Sequence, residues 1–159
     1  MPIDTRFRNI VVTSDLSDNS IQGLQRAADL ATSADKLHII HVVSSSELLL
    51  GREYGLGLEV SKQALKEIHA AADQKLASQW KAACPKDYTG PHPRLLTING
   101  SPAPAICEFA ESVKADLIVI GTHGRTGIAH ALIGSVAENV VRHAPCAVLT
   151  VRIEKKKKK

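Results

Sequence analysis

Two stretches of this chain hold residue types suited to binding a phosphorylated ligand. The first runs from Gly121 through Gly124 to Gly134-Ser135 and reads G-x2-G-x9-G-S. Glycines let backbone amides approach a phosphate closely and adopt positive φ. If Gly134-Ser135 opens a helix, its first amides are unpaired and carry the positive end of the helix dipole. Gly134, Ser135, Val136 and Ala137 are placed to supply them, beside His123, Arg125 and His130, with no acidic residue before Glu138. That charge balance suits a polyphosphate. The second stretch is Thr13-Ser14-Asp15-Leu16-Ser17, where a short apolar run ends in a carboxylate. A reading without a ligand also exists, because Ser135-Val136-Ala137-Glu138 has the spacing of a capping box.

Other chemistries find less support. The chain has no GxxxxGK[ST] phosphate loop and no GxGxxG after its first apolar run. Gly55-Leu56-Gly57 falls within a loop, and Asp15 and Asp18 are offset from the acid cluster of a phosphoacceptor site. His38 and His41, three apart on one strand, point to opposite faces, which disfavours a shared metal. His69, His92 and His143 read as surface residues. Cys84, Cys107 and Cys146 are odd in number and lack zinc or CxxC spacing, which points to reduced thiols in a cytosol. Cys107 and Cys146 read as packed side chains, Cys84 as an exposed one, and Trp80 as packing the long helix.

The elements that must position these residues alternate. Asn9–Thr13, Leu37–Val43, Arg94–Ile98, Asp116–Ile120 and Cys146–Val151 read as strands. Between them, helical periodicity marks 19–34, with a stripe of Ile21, Leu24, Ala28 and Ala31 and a cap from Ser17 or Asp18. A long helix is expected over 59–83, with Val60, Ala64, Ile68, Ala72 and Leu76 inward. A third starts at Ser101-Pro102, burying Ile106, Phe109, Ala110 and Val113, and a fourth spans 134–143. Residues 44–58 and 121–133 are loops. This β-α alternation predicts an α/β fold with a parallel five-stranded sheet between helix layers. Ligands in such folds bind beyond the carboxyl ends of strands, at a topological switch point. If the first and fourth strands are neighbours, Asp15 and the glycine loop face one crevice.

Composition narrows the function classes. The 159 residues are one domain's length, expected over 1–153, with a disordered lysine tail over 154–159. Five of the 20 basic residues are Lys155 to Lys159; without them 15 basic residues face 16 acidic ones, a balance of −1. The pI near 9.1 therefore describes the tail. The body does not read as a nucleic-acid surface, and only 3% of residues are aromatic. No apolar run approaches the ~18 residues of a membrane span, and the N-terminus has no signal-peptide core. A soluble, cytoplasmic protein is expected.

With these motifs assembled, the chain resembles the universal stress protein family. Gly121-x2-Gly124-x9-Gly134-Ser135 is similar to that family's ATP-binding signature. The Thr13-to-Ser17 turn, His41-Val42 at a strand end, and Ala144-Pro145-Cys146 to Val151 also fit. The likeness covers about residues 5–153. It implies a three-layer sandwich with an open, mainly parallel sheet of order 3-2-1-4-5, like the adenine-nucleotide α-hydrolases. It further implies ATP, ADP or AMP as ligand, with Mg²⁺ held by the phosphates. Thr13 belongs to the matching turn, and Asp15 would contact the ribose or adenine end. The Val42 backbone would bond adenine, and Ile120 and Gly121 would pack on the nucleoside. Gly124, Gly134, Ser135 and Val136 would hold phosphates, near His123 and Arg125. Position 137 is often Ser or Thr in nucleotide-binding members; Ala137 keeps only its N–H, which implies weaker phosphate binding. A homodimer through the last strand is implied as well; a protein partner is not. A nucleotide-dependent regulatory module is the leading expectation. The alternative is a slow ATP-hydrolysing or nucleotide-transferring enzyme, which would need more crevice acids than Asp15. A dimeric scaffold that no longer uses nucleotide conflicts with the intact glycines.

Overall fold

The first apolar run forms β1 (Asn9–Thr13), whose Ile10, Val11 and Val12 are fully buried. Burial on both faces requires a covering layer on each side, which is why the run is unbroken rather than alternating. The computed structural model describes residues 6–44, 62–122 and 133–152. After β1 come α1 (Ser20–Ala31), β2 (Lys36–Ser44), α2 (Lys62–Ala83), β3 (Arg94–Gly100), α3 (Pro102–Ser112), β4 (Leu117–Gly121), α4 (Ser135–His143) and β5 (Ala147–Val151). The five strands pair in parallel in the order β3-β2-β1-β4-β5, as expected. Residues 153–159, the loop residues 45–58, and the expected first turn of the long helix lie outside the described residues.

Two cores flank the sheet. Ile10, Val12, Leu37, Ile39, Leu117 and Val119 pack with Leu24 of α1 and Leu76 of α2 on one side. Val11, Ile40, Ile118 and Ile120 pack with Ile106 of α3 and Val140 of α4 on the other. Fully burying each such side chain contributes ~1.5–3 kcal/mol, set against the ordering entropy of the chain.

The stripe expected on α2 needs correction. Ile68 is 39% exposed, and the buried positions are Ala72, Leu76, Gln79 and Ala83. The helix crosses the sheet obliquely: His69 bonds Asn99 and Asp73 bonds Thr97, both on β3, while Gln79 reaches Ser14 after β1. Its early turns therefore overhang the β3 edge. The cap expected on α1 also differs. Asn19 occupies the cap position without a side-chain bond, and Ser17 turns to Asp15 instead. Helix α1 ends at Ala31, short of the expected Ala34, and β3 runs on to Gly100 against the long β2.

All three cysteines are free and half-buried, Cys84 included, and burial pushes each thiol's pKa up. Such thiols are poor nucleophiles near neutral pH. Trp80 packs at the end of α2, edge-on to Tyr88 with centroids 5.3 Å apart.

His38 sits on β2 under α3, 6% exposed and edge-on to Phe109 at 5.6 Å. Neither ring nitrogen has a hydrogen-bond partner among the described residues. Burial, with the Arg94 and Lys36 charges beside it, holds its pKa below the usual 6.5. The unfolded chain thus binds more protons than the folded one in mildly acid solution, so stability falls as pH drops below about 6.5. His38→Leu is expected to flatten that decline and to raise stability by ~1 kcal/mol, since a buried polar group without a partner costs ~1–3 kcal/mol. Urea titrations at pH 5 and pH 8 check both; an unchanged acid slope in the variant contradicts it.

Candidate functional site

β1 lies between β2 and β4, and the chain leaves it toward β2 through α1 but returns to its other side only at β4. That reversal makes the β1–β4 boundary the switch point, where a crevice opens beyond the strand ends. The register pairs Val12 with Val119, so the next residues, Thr13 and Ile120, lie level at the mouth.

The turn after β1 is tightly held. The Ser14 amide donates to the Ile40 carbonyl at 2.9 Å, and the His41 Nδ1 meets the Ser14 carbonyl at 2.9 Å. Asp15 Oδ1 accepts from the Ser17 amide at 2.9 Å, the Ser17 hydroxyl at 2.6 Å and the Ser20 hydroxyl at 2.5 Å. Leu16 stands at φ 64°, a left-handed conformation that costs a non-glycine residue roughly 1–2 kcal/mol. The Ser14 hydroxyl offsets this by accepting the Leu16 amide at 3.0 Å. Serines at 14, 17 and 20 are there because short hydroxyl side chains compete well for local backbone and carboxylate bonds.

Opposite, β4 runs into Thr122, whose amide donates to the Val151 carbonyl at 3.0 Å. The Gly134 amide donates to the Thr122 carbonyl at 2.7 Å, which pins the start of α4 to the end of β4. Its N–H is therefore engaged, contrary to the expectation that it stays unpaired. Gly134 has φ −59°, so it is needed for space rather than for positive φ: an added Cβ would stand 3.0 Å from the Thr122 oxygen. The capping box does not form. Gly134 is the cap residue, no side chain caps the helix, and Glu138 bonds Arg142 at 2.9 Å. The Ser135, Val136 and Ala137 amides have no acceptor among the described residues. The Ala137 methyl is buried in the core, 2% exposed, so only its amide can serve a ligand.

β2 outruns β1 and forms the third wall. Because Ile40 turns its carbonyl to Ser14, strand alternation turns the Val42 N–H and C=O to the same side, past the end of β1. The Val42 N–H and C=O thus lie on the β1 side of β2, beyond the last paired residue, Thr13.

A sequence profile of the universal stress protein family matches residues 6–152. The chain belongs to that family. A universal stress protein of Methanocaldococcus jannaschii is 36% identical over 151 residues, spanning 94% of this chain and 85% of the relative. The solved structure of a universal stress protein in complex with cAMP superposes with TM-score 0.62 at 28% identity, covering 94% of this chain and all, 100%, of that one. A hypothetical protein whose biochemical function was assigned from its structure shares the fold at TM-score 0.77 and 23% identity, covering 96% and 100%.

Among the family-matching positions, Thr13 and Gly121 are half-buried at the ends of β1 and β4, and Asp15 and Val42 border the same mouth. Ile120 is in the core between β4 and α4. His123, Gly124 and Arg125 lie outside the described residues. Ser14, Ser20, His41, Gln79 and Thr122 hold the universal stress protein crevice in shape; of these, Ser20 and Gln79 are the ones that sequence reasoning does not single out. Gln79 had a readable signal: it recurs with Ala72, Leu76 and Ala83 at helical spacing, a polar residue in an apolar stripe. A separate polar groove of about 620 Å³ lies between Arg26, Asp29, Lys86 and Arg152, away from Asp15 and Gly134. The described residues contain no group of three or more His, Cys, Asp or Glu able to hold a metal ion, and no helix long and apolar enough to cross a membrane.

Proposed function

We propose that this universal stress protein binds an adenine nucleotide in the β1–β4 crevice and acts as a cytoplasmic, nucleotide-dependent regulatory module, with little or no hydrolysis. The observation that carries this is the start of α4, where three successive amides, Ser135 to Ala137, open uncapped at the switch point. Such an end suits a phosphate chain. The cAMP complex of a 28%-identical relative supports an adenine nucleotide as the class of ligand. Asp15 then takes the ribose or adenine end, and the Val42 N–H and C=O take the adenine edge. His123 and Arg125 flank the phosphates, which hold any Mg²⁺ themselves. A homodimer forms through β5, one of the two edge strands of the sheet.

Binding at micromolar Kd, about −8 kcal/mol, is expected for ATP or ADP by titration calorimetry. Turnover is a separate question. Amides that hold the ground state lower KM without speeding chemistry. Hydrolysis needs a base or a metal-binding carboxylate, and Asp15 Oδ1 is already committed to Ser17 and Ser20. Multiple-turnover assays with Mg-ATP should give rates at least roughly a thousandfold below the enzyme median of ~10 s⁻¹. A rate near that median, lost in His123→Ala with binding retained, would overturn the module in favour of an enzyme.

A further inference from the structure

We propose that Gln79, on α2, is a positioning residue for the nucleotide site, setting the Ser14–Ser17 turn and thereby the place of the Asp15 carboxylate. The inference rests on the nucleotide reading above and adds a residue far from it in sequence. Gln79 is 3% exposed, and its amide spans the turn. The Ser14 hydroxyl donates to Gln79 Oε1 at 2.6 Å, and Gln79 Nε2 donates to the Ser17 carbonyl at 2.7 Å. One side chain thus ties both ends of the segment that presents Asp15. Only this amide orientation works: flipped, the oxygen would face the Ser17 carbonyl, acceptor against acceptor.

The turn needs that tie. Leu16 sits at positive φ, and its amide is held by the same Ser14 hydroxyl that Gln79 engages. Ser17 in turn gives Asp15 two hydrogen bonds, through its amide and hydroxyl. Without Gln79, the Ser17 carbonyl loses its inward anchor and Ser14 loses the acceptor that aims its hydroxyl. The carboxylate would then sample positions outside the reach of a ribose. A glutamate has the same shape but sets an oxygen against the Ser17 carbonyl, so it should not restore the turn.

The test pairs two readouts. In the unliganded protein, Gln79→Leu and Gln79→Glu should speed amide hydrogen exchange at Leu16 and Ser17 about tenfold, with Val12 unchanged. By calorimetry, Gln79→Leu should weaken ATP about tenfold, the size of one lost buried hydrogen bond, while leaving inorganic tripolyphosphate unchanged. Asp15→Ala should lose as much, and the double variant no more than Asp15→Ala alone. Equal loss of ATP and tripolyphosphate would mark general destabilisation and overturn the proposal, as would additive losses or unchanged exchange. If the wild-type chain binds ATP and Gln79→Leu binds it equally, this proposal alone falls. If the wild-type chain does not bind ATP, the nucleotide reading falls with it.

Discussion

Gly134→Val is expected to weaken ATP binding by about a hundredfold or more, ~2.7 kcal/mol, while the protein stays folded. The added Cβ would stand 3.0 Å from the Thr122 carbonyl oxygen, and the valine methyls would reach further. Backbone surrounds the contact, so relief requires moving either the end of β4 or the start of α4. Either movement breaks the 2.7 Å bond from the Gly134 amide to Thr122 and re-aims the amides of Ser135, Val136 and Ala137. Three charge-assisted bonds to phosphate at ~1.5–3 kcal/mol each are then at stake. The core side of α4 rests on the Ala137 and Val140 side chains, and the added Cβ meets Thr122 backbone atoms rather than either of them, so unfolding is not the expected outcome. Gly134→Ala should lose less, because its single methyl needs only a few tenths of an ångström. Adenosine, which has no phosphate, should be weakened less than ATP by the valine. Calorimetry on the three proteins decides it: wild-type ATP affinity in Gly134→Val contradicts this placement of the phosphates.

Much of this arrangement is legible in the amino-acid sequence. Unbroken apolar runs at 10–12 and 117–120, β-branched but for Leu117, announced strands buried on both faces, and the helical stripes between them announced the covering layers. Gly121, Gly134 and Asp15 were legible as a pair of strand ends, and the family resemblance supplied the sheet order that brings them together. What escaped was tertiary. The Ser135–Glu138 spacing fits a capping box, but a long-range bond from Gly134 to Thr122 fixes the cap one residue earlier, and Glu138 goes to Arg142. Periodicity put Ile68 inside because it cannot register the angle at which α2 crosses the sheet. Gln79 was passed over since an isolated polar residue in a stripe carries meaning only once Ser14 and Ser17 are beneath it. The Val42 edge depends on β2 outrunning β1, a matter of register that composition does not encode.

Thr150→Pro is expected to convert a β5-paired homodimer into a monomer, and the choice of residue follows from the ladder. Val151 turns its carbonyl to the Thr122 amide at 3.0 Å, so Val151, and by alternation Leu149 and Ala147, direct their backbone groups into β4. Val148 and Thr150 direct theirs outward, to the open edge. Proline at Leu149 would therefore damage the sheet itself, whereas proline at Thr150 removes an outward donor and sets its ring against an incoming strand. An unprotected edge invites pairing, and antiparallel self-pairing about a two-fold axis is the closed solution for identical strands. The apolar surface at this edge agrees: Leu149 is 38% exposed, as no single chain's packing requires. Leu149→Lys offers a second route without touching the backbone, since it sets like charges near one another across the two-fold. Light scattering at tens of micromolar should give a dimer for the wild type and a monomer for Thr150→Pro, with far-UV circular dichroism unchanged. A wild-type monomer would remove the homodimer, and a Thr150→Pro dimer would move the interface off β5.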